Sequence, residues 1–486
     1  MASIVLTHSY FLYLDSKQEE AGNAYPPLGT IYAASVLKES GHTVSLFDSM
    51  LAGNPSEILP MLESCNPEYL VIYDDGFNYL TKMCLTNMRE AAFTMIHLAK
   101  AKGITVIISS SDSTDHFDKY LDQGVDYVIL GEGEMTLSDL LSTLTSGGER
   151  DDIQGIAYRK NTQTINAGKR PVMRDLDTLP LPAWDMINFD AYRKLWLKKT
   201  GYFSLNMVTT RGCTYKCNWC AKPIFGNRYN ARTPQHVVDE LRFLINEKGV
   251  QHIWFCDDIF GLKPGWLIEF ARLVKEAGLK FQYKIQSRAD LMMVDSSVKA
   301  LSQSGCDTVW VGAESGSQKI LDAMEKGITL EQIYESREKL KLGGIKTAFF
   351  LQFGYPGEVM EDIRATIRMV LETMPDEIGI SVTYPLPGTK LYEMVKSQLG
   401  EKSNWKDSDE LVMMFQNTFP QAFYKELQRY MHTIYRQKKG LQSIQYLLRN
   451  PLSINPGLVR SALMSLYHMP VALVRKKKLN TYKPLV

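Results

Sequence analysis

The sequence predicts an α/β protein in three parts: two successive blocks of alternating strands and helices, then a helical appendage. Two observations carry this. Short apolar runs of strand length alternate with amphipathic stretches over residues 1–145 and again over 196–400, a pattern that calls for parallel sheets covered on both faces. After residue 400 only the helical period remains. With 486 residues, 45% hydrophobic and 22% charged, the chain can bury several cores and is neither disordered nor fibrous.

The elements follow in order. Residues 3–7 (SIVLT) read as a strand. Tyr25-Pro-Pro-Leu-Gly29 reads as a turn, and Ile31, Ala34 and Leu37 line one face of a helix that Gly41 stops. Residues 42–48 then return to a strand. The alternation repeats with strands at 69–73, 105–109 and 127–130 and helices over 84–102 and near 115–123; Gly131-Glu-Gly-Glu134 leads into one more helix. Residues 1–145 thus form a Rossmann-type domain. Residues 146–195 read as a connector, with a hairpin over 156–168 and an extended run at Pro180 and Pro182. From 196 to 400, strands at 204–210, 252–256, 281–286, 308–314, 347–353 and 377–383 with intervening helices predict a partial (βα)6 TIM-like barrel. Residues 401–486 are helical, and their last 66 positions hold twelve Lys or Arg against one acid, Glu426, a net of +11 in a chain whose total is +1.

The balanced total argues against nucleic acid as a partner. No run approaches about 20 uninterrupted apolar residues, and the start MASIVLTHSY lacks a basic leader region, so the expected location is the cytoplasm.

The seven cysteines are Cys65, Cys84, Cys213, Cys217, Cys220, Cys256 and Cys306, an odd and sparse set that is no disulfide framework. Three of them form C-x3-C-x2-C in Gly212-Cys213-Thr-Tyr-Lys-Cys217-Asn-Trp-Cys220, after the first barrel strand, at the end where barrel enzymes place their chemistry. A structural zinc site asks for four protein ligands and a conventional ferredoxin cluster for four cysteines. Three thiolates on one loop suit a four-iron cluster with one iron open to an outside ligand; zinc is the alternative.

This loop, with Trp219 before its last cysteine, resembles the radical S-adenosylmethionine (SAM) superfamily. Phe255-Cys-Asp257-Asp258-Ile-Phe260, Val311-Gly-Ala-Glu314-Ser-Gly-Ser317, Phe353-Gly-Tyr-Pro-Gly-Glu358 and Tyr384-Pro-Leu-Pro-Gly-Thr389 resemble its cobalamin-associated branch, which includes Mg-protoporphyrin monomethyl ester oxidative cyclases and cobalamin-dependent methyltransferases. Tyr25–Gly29, Gly41-His42 and Gly131–Glu134 are similar to that branch's N-terminal cobalamin-binding domain. The resemblance implies that Cys213, Cys217 and Cys220 hold a [4Fe-4S] cluster whose open iron chelates SAM, and that one electron from a donor such as flavodoxin or ferredoxin releases a 5′-deoxyadenosyl radical. It implies methyl transfer to, or oxidative remodelling of, an unactivated carbon of a small-molecule substrate. Radical chemistry without cobalamin and a non-catalytic iron–sulfur module are the alternatives.

The resemblance also places Glu314 at the SAM ribose or methionine end, Asp257 and Asp258 at its amino group, and Gly354 and Gly357, around Pro356, near adenine. Each has a plainer reading: a solvated strand-end acid, a helix cap, a structural turn. Arg288 meets a carboxylate or solvent, and Cys256 is a small core residue or a radical relay. The cobalamin reading departs from the pattern in one respect. Domains that donate a lower-face histidine carry D-x-H-x-x-G after the first strand; the loop here holds Asp15-Ser-Lys-Gln-Glu-Glu, and His116 follows the fourth strand. A ligand-free Rossmann domain is the alternative. In the tail, Arg475-Lys-Lys-Lys478 after an apolar helical face suggests peripheral contact with anionic membrane and a hydrophobic or lipid-like substrate, or else a solvated terminus.

Overall fold

A computed structural model of the chain describes residues 1–77, 79–83, 85–220, 224–400, 404–450 and 455–485. The N-terminal sheet holds β1 (Ser3–Thr7), β2 (Thr43–Phe47), β3 (Tyr69–Tyr73), β4 (Thr105–Ser109), β5 (Tyr127–Ile129), β6 (Ile156–Lys160) and β7 (Gln163–Asn166) in the order β2-β1-β3-β4-β5-β6-β7. The first five strands are parallel, and Val5, Leu70, Val71, Val106, Ile107 and Val128 are fully buried because helices cover both faces. Chain direction across the sheet reverses beside β1, so the switch point, where such sheets bind ligands, lies between β1 and β3 at their carboxyl ends.

The structure corrects three boundaries. The hairpin expected inside the connector is present, but β6 pairs antiparallel with β5 and extends the sheet, burying Ile156, Ala157 and Tyr158. The connector therefore begins after Asn166 rather than at 146. It also ends in a helix, Phe189–Thr200, whose Trp196 packs tilted against Tyr25 with centroids 5.1 Å apart and donates from Nε1 to the Ala24 carbonyl at 2.6 Å. The helix expected near 115–123 is two short ones, Ser111–Asp115 and Phe117–Asp122, broken at His116. The one expected over 84–102 runs Thr86–Lys100, and Cys84 lies outside the described residues.

The second sheet comprises β8 (Ser204–Met207), β11 (His252–Phe255), β12 (Gln282–Ser287), β13 (Cys306–Glu314), β14 (Lys346–Phe353) and β15 (Glu377–Val382), all parallel; β9 (Thr210–Arg211) and β10 (Asn230–Ala231) make a separate antiparallel ribbon. Its order, β15-β14-β13-β12-β11-β8, never closes β15 onto β8, which bears out a six-stranded partial barrel. Alternation along the strands sorts the side chains. Phe255 and Tyr283 pack outward on Phe260 and Phe270, whereas Asn206, Trp254 and Lys284 form the opposite face. Tyr25 of the N-terminal domain seats there: its ring lies 4.8 Å from Trp254 and under the Lys284 ammonium, and Asn206 donates to the Pro26 carbonyl. The Tyr-Pro-Pro turn is thus an interdomain plug.

Helices Gln421–Arg449 and Pro456–Leu479 form the C-terminal appendage. Among the described residues, Pro456–Leu479 is long and apolar enough to cross a membrane. The sequence expectation of no such run counted unbroken stretches; here Arg460 and Arg475 bracket fourteen uncharged residues.

Candidate functional site

The cysteine loop leaves the barrel at the carboxyl end of β8, and its entry is over-determined. Gly212 sits at φ +79°, and a Cβ there would stand 2.2 Å from the Arg228 carbonyl oxygen, so only glycine fits before Cys213. Asp257, buried at the end of β11, accepts from Thr209 N (2.7 Å), Thr209 Oγ1 (2.5 Å) and Thr210 N (2.9 Å). Burial pushes its carboxyl up to about 6 against the pull of those donors.

Two residues before the first cysteine, Arg211 crosses to the other domain. Its guanidinium bonds Glu132 Oε1 at 2.5 Å and Glu134 Oε1 at 2.7 Å, with all three side chains buried, and the Tyr32, Phe77 and Phe225 rings surround it at 5.2–5.7 Å. Burial disfavours its charge, but the two carboxylates outweigh that and hold it more firmly protonated. The Gly-Glu-Gly-Glu motif, weak in the sequence, is therefore the acidic half of an interdomain lock. Gly133 serves the same packing, since a Cβ there would meet Tyr73 Oη at 2.8 Å.

Within the loop Cys213 is buried, Cys217 and Cys220 are half-buried, and none is disulfide-bonded. Asn218 pins the middle: Nδ2 donates to the Ala323 carbonyl (2.6 Å), its amide to the Met324 carbonyl (3.1 Å), and Oδ1 accepts from Tyr355 Oη (3.0 Å). Tyr215 lies 3.6 Å under the Arg288 guanidinium, which Asp290 holds at 2.9 Å. Arg288 thus met both a carboxylate and the loop itself.

Glu314 ends β13 at φ +59°, a strained conformation for a side-chain-bearing residue, and is buried against Lys326 at 2.8 Å. A Cβ on Gly312 would fall 2.6 Å from Lys326 Nζ, so that glycine makes room for the pair. Burial works against the Lys326 charge, and Glu314 with the Cys217 thiolate overcomes it and raises the ammonium's pKa. The ammonium also lies 5.8 Å from the Trp219 ring. The plainer reading of Glu314, a solvated strand-end acid, does not hold.

Asp258 reaches the other way and pairs at 2.7 Å with Lys82 of the N-terminal domain. Gly354, at φ +77°, donates its amide to Glu358 Oε2 (2.6 Å), and its carbonyl accepts from Asn417 (2.5 Å); Met413 Cε would stand 2.9 Å from a Cβ there. Gly357, at φ +81°, is exposed, and a Cβ there would meet nothing within 4 Å. Cys256 is buried, its Sγ donates to the Met207 carbonyl at 3.1 Å, and burial pushes the thiol well up, as a core residue requires.

Among the described residues no three His, Cys, Asp or Glu side chains converge around one metal ion. A cubane asks for something else: each thiolate takes its own iron corner, so the sulfurs stand apart. Trp219 Nε1 and Ser287 Oγ, the latter at the carboxyl end of β12, are buried without a hydrogen-bond partner, which fits a polar ligand at this mouth.

At the switch point of the first sheet, Gly29, Asp75, Gly76, Ser109–Ser111 and Gly131 line a cleft whose far wall is Ile224 and Phe225 of the cysteine loop. The glycines and hydroxyls leave backbone exposed along one wall, but the enclosed space is only about 10 Å³, and the Phe77–Phe225 stack, 5.2 Å between centroids, closes it. Sequence reasoning missed His8, which directly follows β1; it is buried, with Nε2 3.2 Å from Asp48 Oδ1. His116 stands 3.9 Å from Asp112 and is half-buried at the break between the two short helices, not exposed in a loop.

With this geometry in view, residues 207–370 match the family described as the Radical SAM superfamily, and the chain carries a radical SAM domain. The resemblance seen in the cysteine loop is borne out. An uncharacterized methyltransferase of Pyrococcus horikoshii is 29% identical over 79% of this chain and 82% of its own length. The anaerobic magnesium-protoporphyrin IX monomethyl ester cyclase of Cereibacter sphaeroides is 24% identical over 78% of this chain, which spans 62% of that protein. The cobalamin-dependent S-adenosylmethionine radical enzyme OxsB, solved with aqua-cobalamin and S-adenosylmethionine, shares the fold at TM-score 0.74 and 15% identity, over 96% of this chain and 71% of its own.

Arg211→Met leaves Glu132 and Glu134 buried without their cation and should cost about 3–5 kcal/mol in denaturant unfolding; adding Glu132→Gln and Glu134→Gln should recover part of the loss.

Glu358, which the sequence reading named only as the end of a motif, is fully buried, and burial pushes it up to about 8. Its folded pKa lies above its unfolded value, so stability is full in acid and falls as pH rises from about 4.5 to about 8. Glu358→Gln should flatten that decline, a few kcal/mol at about 1.4 kcal/mol per pKa unit, as read from chemical unfolding at stepped pH.

Proposed function

We propose that this protein reductively cleaves SAM at a [4Fe-4S] cluster held by Cys213, Cys217 and Cys220, and directs the radical to methyl transfer onto, or oxidative remodelling of, an unactivated carbon. The observation that carries this is the placement of three cysteines on one braced loop at the carboxyl end of β8, with buried polar atoms left over beside it. When bound, the cluster supplies the electron that breaks the carbon–sulfur bond of SAM to methionine and 5′-deoxyadenosyl radical.

The chain's own residues position and exclude. Glu314 with Lys326 presents a fixed charge pair beside Cys217, suited to the charged methionine end of SAM. Asp257 and Asp258 act as positioning residues in this reading, because their carboxylates are engaged by the loop entry and by Lys82. Gly354 borders the adenine side, and Gly357 shapes its turn. Cobalamin at the switch-point cleft would carry the methyl group or assist cyclisation, held against Gly76, Gly131 and Ser109–Ser111. A cobalamin-free radical reaction is the second reading, favoured by the closed Phe77–Phe225 stack. A small-molecule substrate and a reductant such as flavodoxin or ferredoxin complete the reaction. The substrate in this reading is hydrophobic or lipid-like, in keeping with the apolar and basic C-terminal region.

Anaerobic reconstitution with iron, sulfide and hydroxocobalamin should give cluster absorption plus corrin bands; cluster absorption alone selects the second reading. Cys217→Ala should abolish both the cluster spectrum and 5′-deoxyadenosine release, and undiminished nucleoside release from that variant refutes the ligand assignment.

A further inference from the structure

Soluble helical hairpins bury apolar side chains between the helices and turn polar ones to water. The first helix of the C-terminal hairpin obeys this, burying Phe423, Leu427, Met431 and Ile434, but the second does the reverse. Helix Pro456–Leu479 turns Ser465, His468, Ala472 and Leu479 inward, so three of its four buried positions are small or polar. Its outward stripe at helical spacing is Leu463, Leu466, Tyr467, Leu473 and Val474, between 61% and 66% exposed. On the other helix Leu448 is 77% exposed and Tyr446 47%.

The contact between the helices is of the close kind that small residues permit. A Cβ on Gly440 would lie 2.5 Å from the Ser461 carbonyl oxygen and from Ser465 Cβ, and Ser443 Oγ bonds Ser461 Oγ at 3.1 Å. Small residues and hydroxyl bonds between helices are how packing is achieved where burial of apolar surface supplies no drive, namely in lipid. The hairpin is nevertheless firmly part of the body. Tyr435 Oη donates to the Pro375 and Asp376 carbonyls, and buried Glu426 pairs with Arg475 (2.8 Å) and Lys478 (3.0 Å). Lys476 and Lys477 stay exposed at the end of the apolar stripe.

We infer that the hairpin lays its outward stripe into the interface of an anionic bilayer, with Lys476 and Lys477 among the headgroups. The net +11 over residues 421–486 supplies the charge complementarity that selects an anionic surface over a second copy of this equally basic region. The inference is independent of the radical chemistry, since none of these residues belongs to the cysteine loop.

The test is flotation of the full chain with phosphatidylcholine vesicles, alone or in equal mixture with phosphatidylglycerol. The chain should float with the mixed vesicles and at least about thirtyfold less with phosphatidylcholine alone. The triple change Leu463→Gln, Leu466→Gln, Leu473→Gln should abolish flotation while leaving thermal unfolding of the body in place, because these side chains face outward. Lys476→Gln with Lys477→Gln should weaken flotation about thirtyfold, at about 1 kcal/mol per lysine, without changing the fold. Failure of the unaltered chain to float with mixed vesicles overturns the inference, as does undiminished flotation of the triple variant. A lipid-free dimer that the triple variant dissociates, with no capture by vesicles, also overturns it and assigns the stripe to self-association.

Discussion

The arrangement depends on one buried cation. Arg211 stands between Glu132 and Glu134 inside a ring of aromatic side chains, and joins the carboxyl edge of the first sheet to the strand that opens the cysteine loop. A charge so far from water persists only when it is paired and hydrogen-bonded in good geometry, so the two domains can meet in few ways. The Tyr25 plug and the Lys82–Asp258 pair act in the same direction, and all three bring the switch point of one sheet to the mouth of the other.

Around that lock the cysteine loop is held by backbone and amide contacts. Asp257 takes the amides at its entry, Gly212 admits the Arg228 carbonyl, and Asn218 binds three separate segments. Such preorganisation is what a cofactor with an open coordination position needs, because the protein supplies placement and the cofactor the chemistry. Glu314 is the strained member: a left-handed backbone at a strand end, bonded to Lys326, whose ammonium lies 5.8 Å from the Trp219 ring of the loop.

Much of this was legible in the sequence. Strand–helix alternation gave both sheets their strands, and the C-x3-C-x2-C spacing with Trp219 pointed to the family. Local pattern could not reveal which carboxylates face which cations. Asp257 and Asp258 read alike, yet one faces the loop amides and the other a lysine 176 positions away. Glu132 and Glu134 read as part of a weak motif because their partner lies in another domain. Asn218 and Tyr355 lay inside recognised motifs, but nothing marked their pairing, since hydrogen bonds between loops have no period. The hairpin over 156–166 was recognised as a hairpin, but its seat beside β5 is a tertiary fact. The apolar stripe of the last helix was visible; that it faces outward was not.

The claim on which everything else rests is that three thiolates hold a cluster with one iron left for SAM. Electron paramagnetic resonance of the anaerobically reconstituted, reduced protein, recorded with and without SAM, addresses it directly. The account predicts the signal of a one-electron-reduced [4Fe-4S] cluster whose g-values shift when SAM is added. A zinc-loaded protein without a cluster signal, or a cluster signal that SAM leaves unmoved, would contradict it.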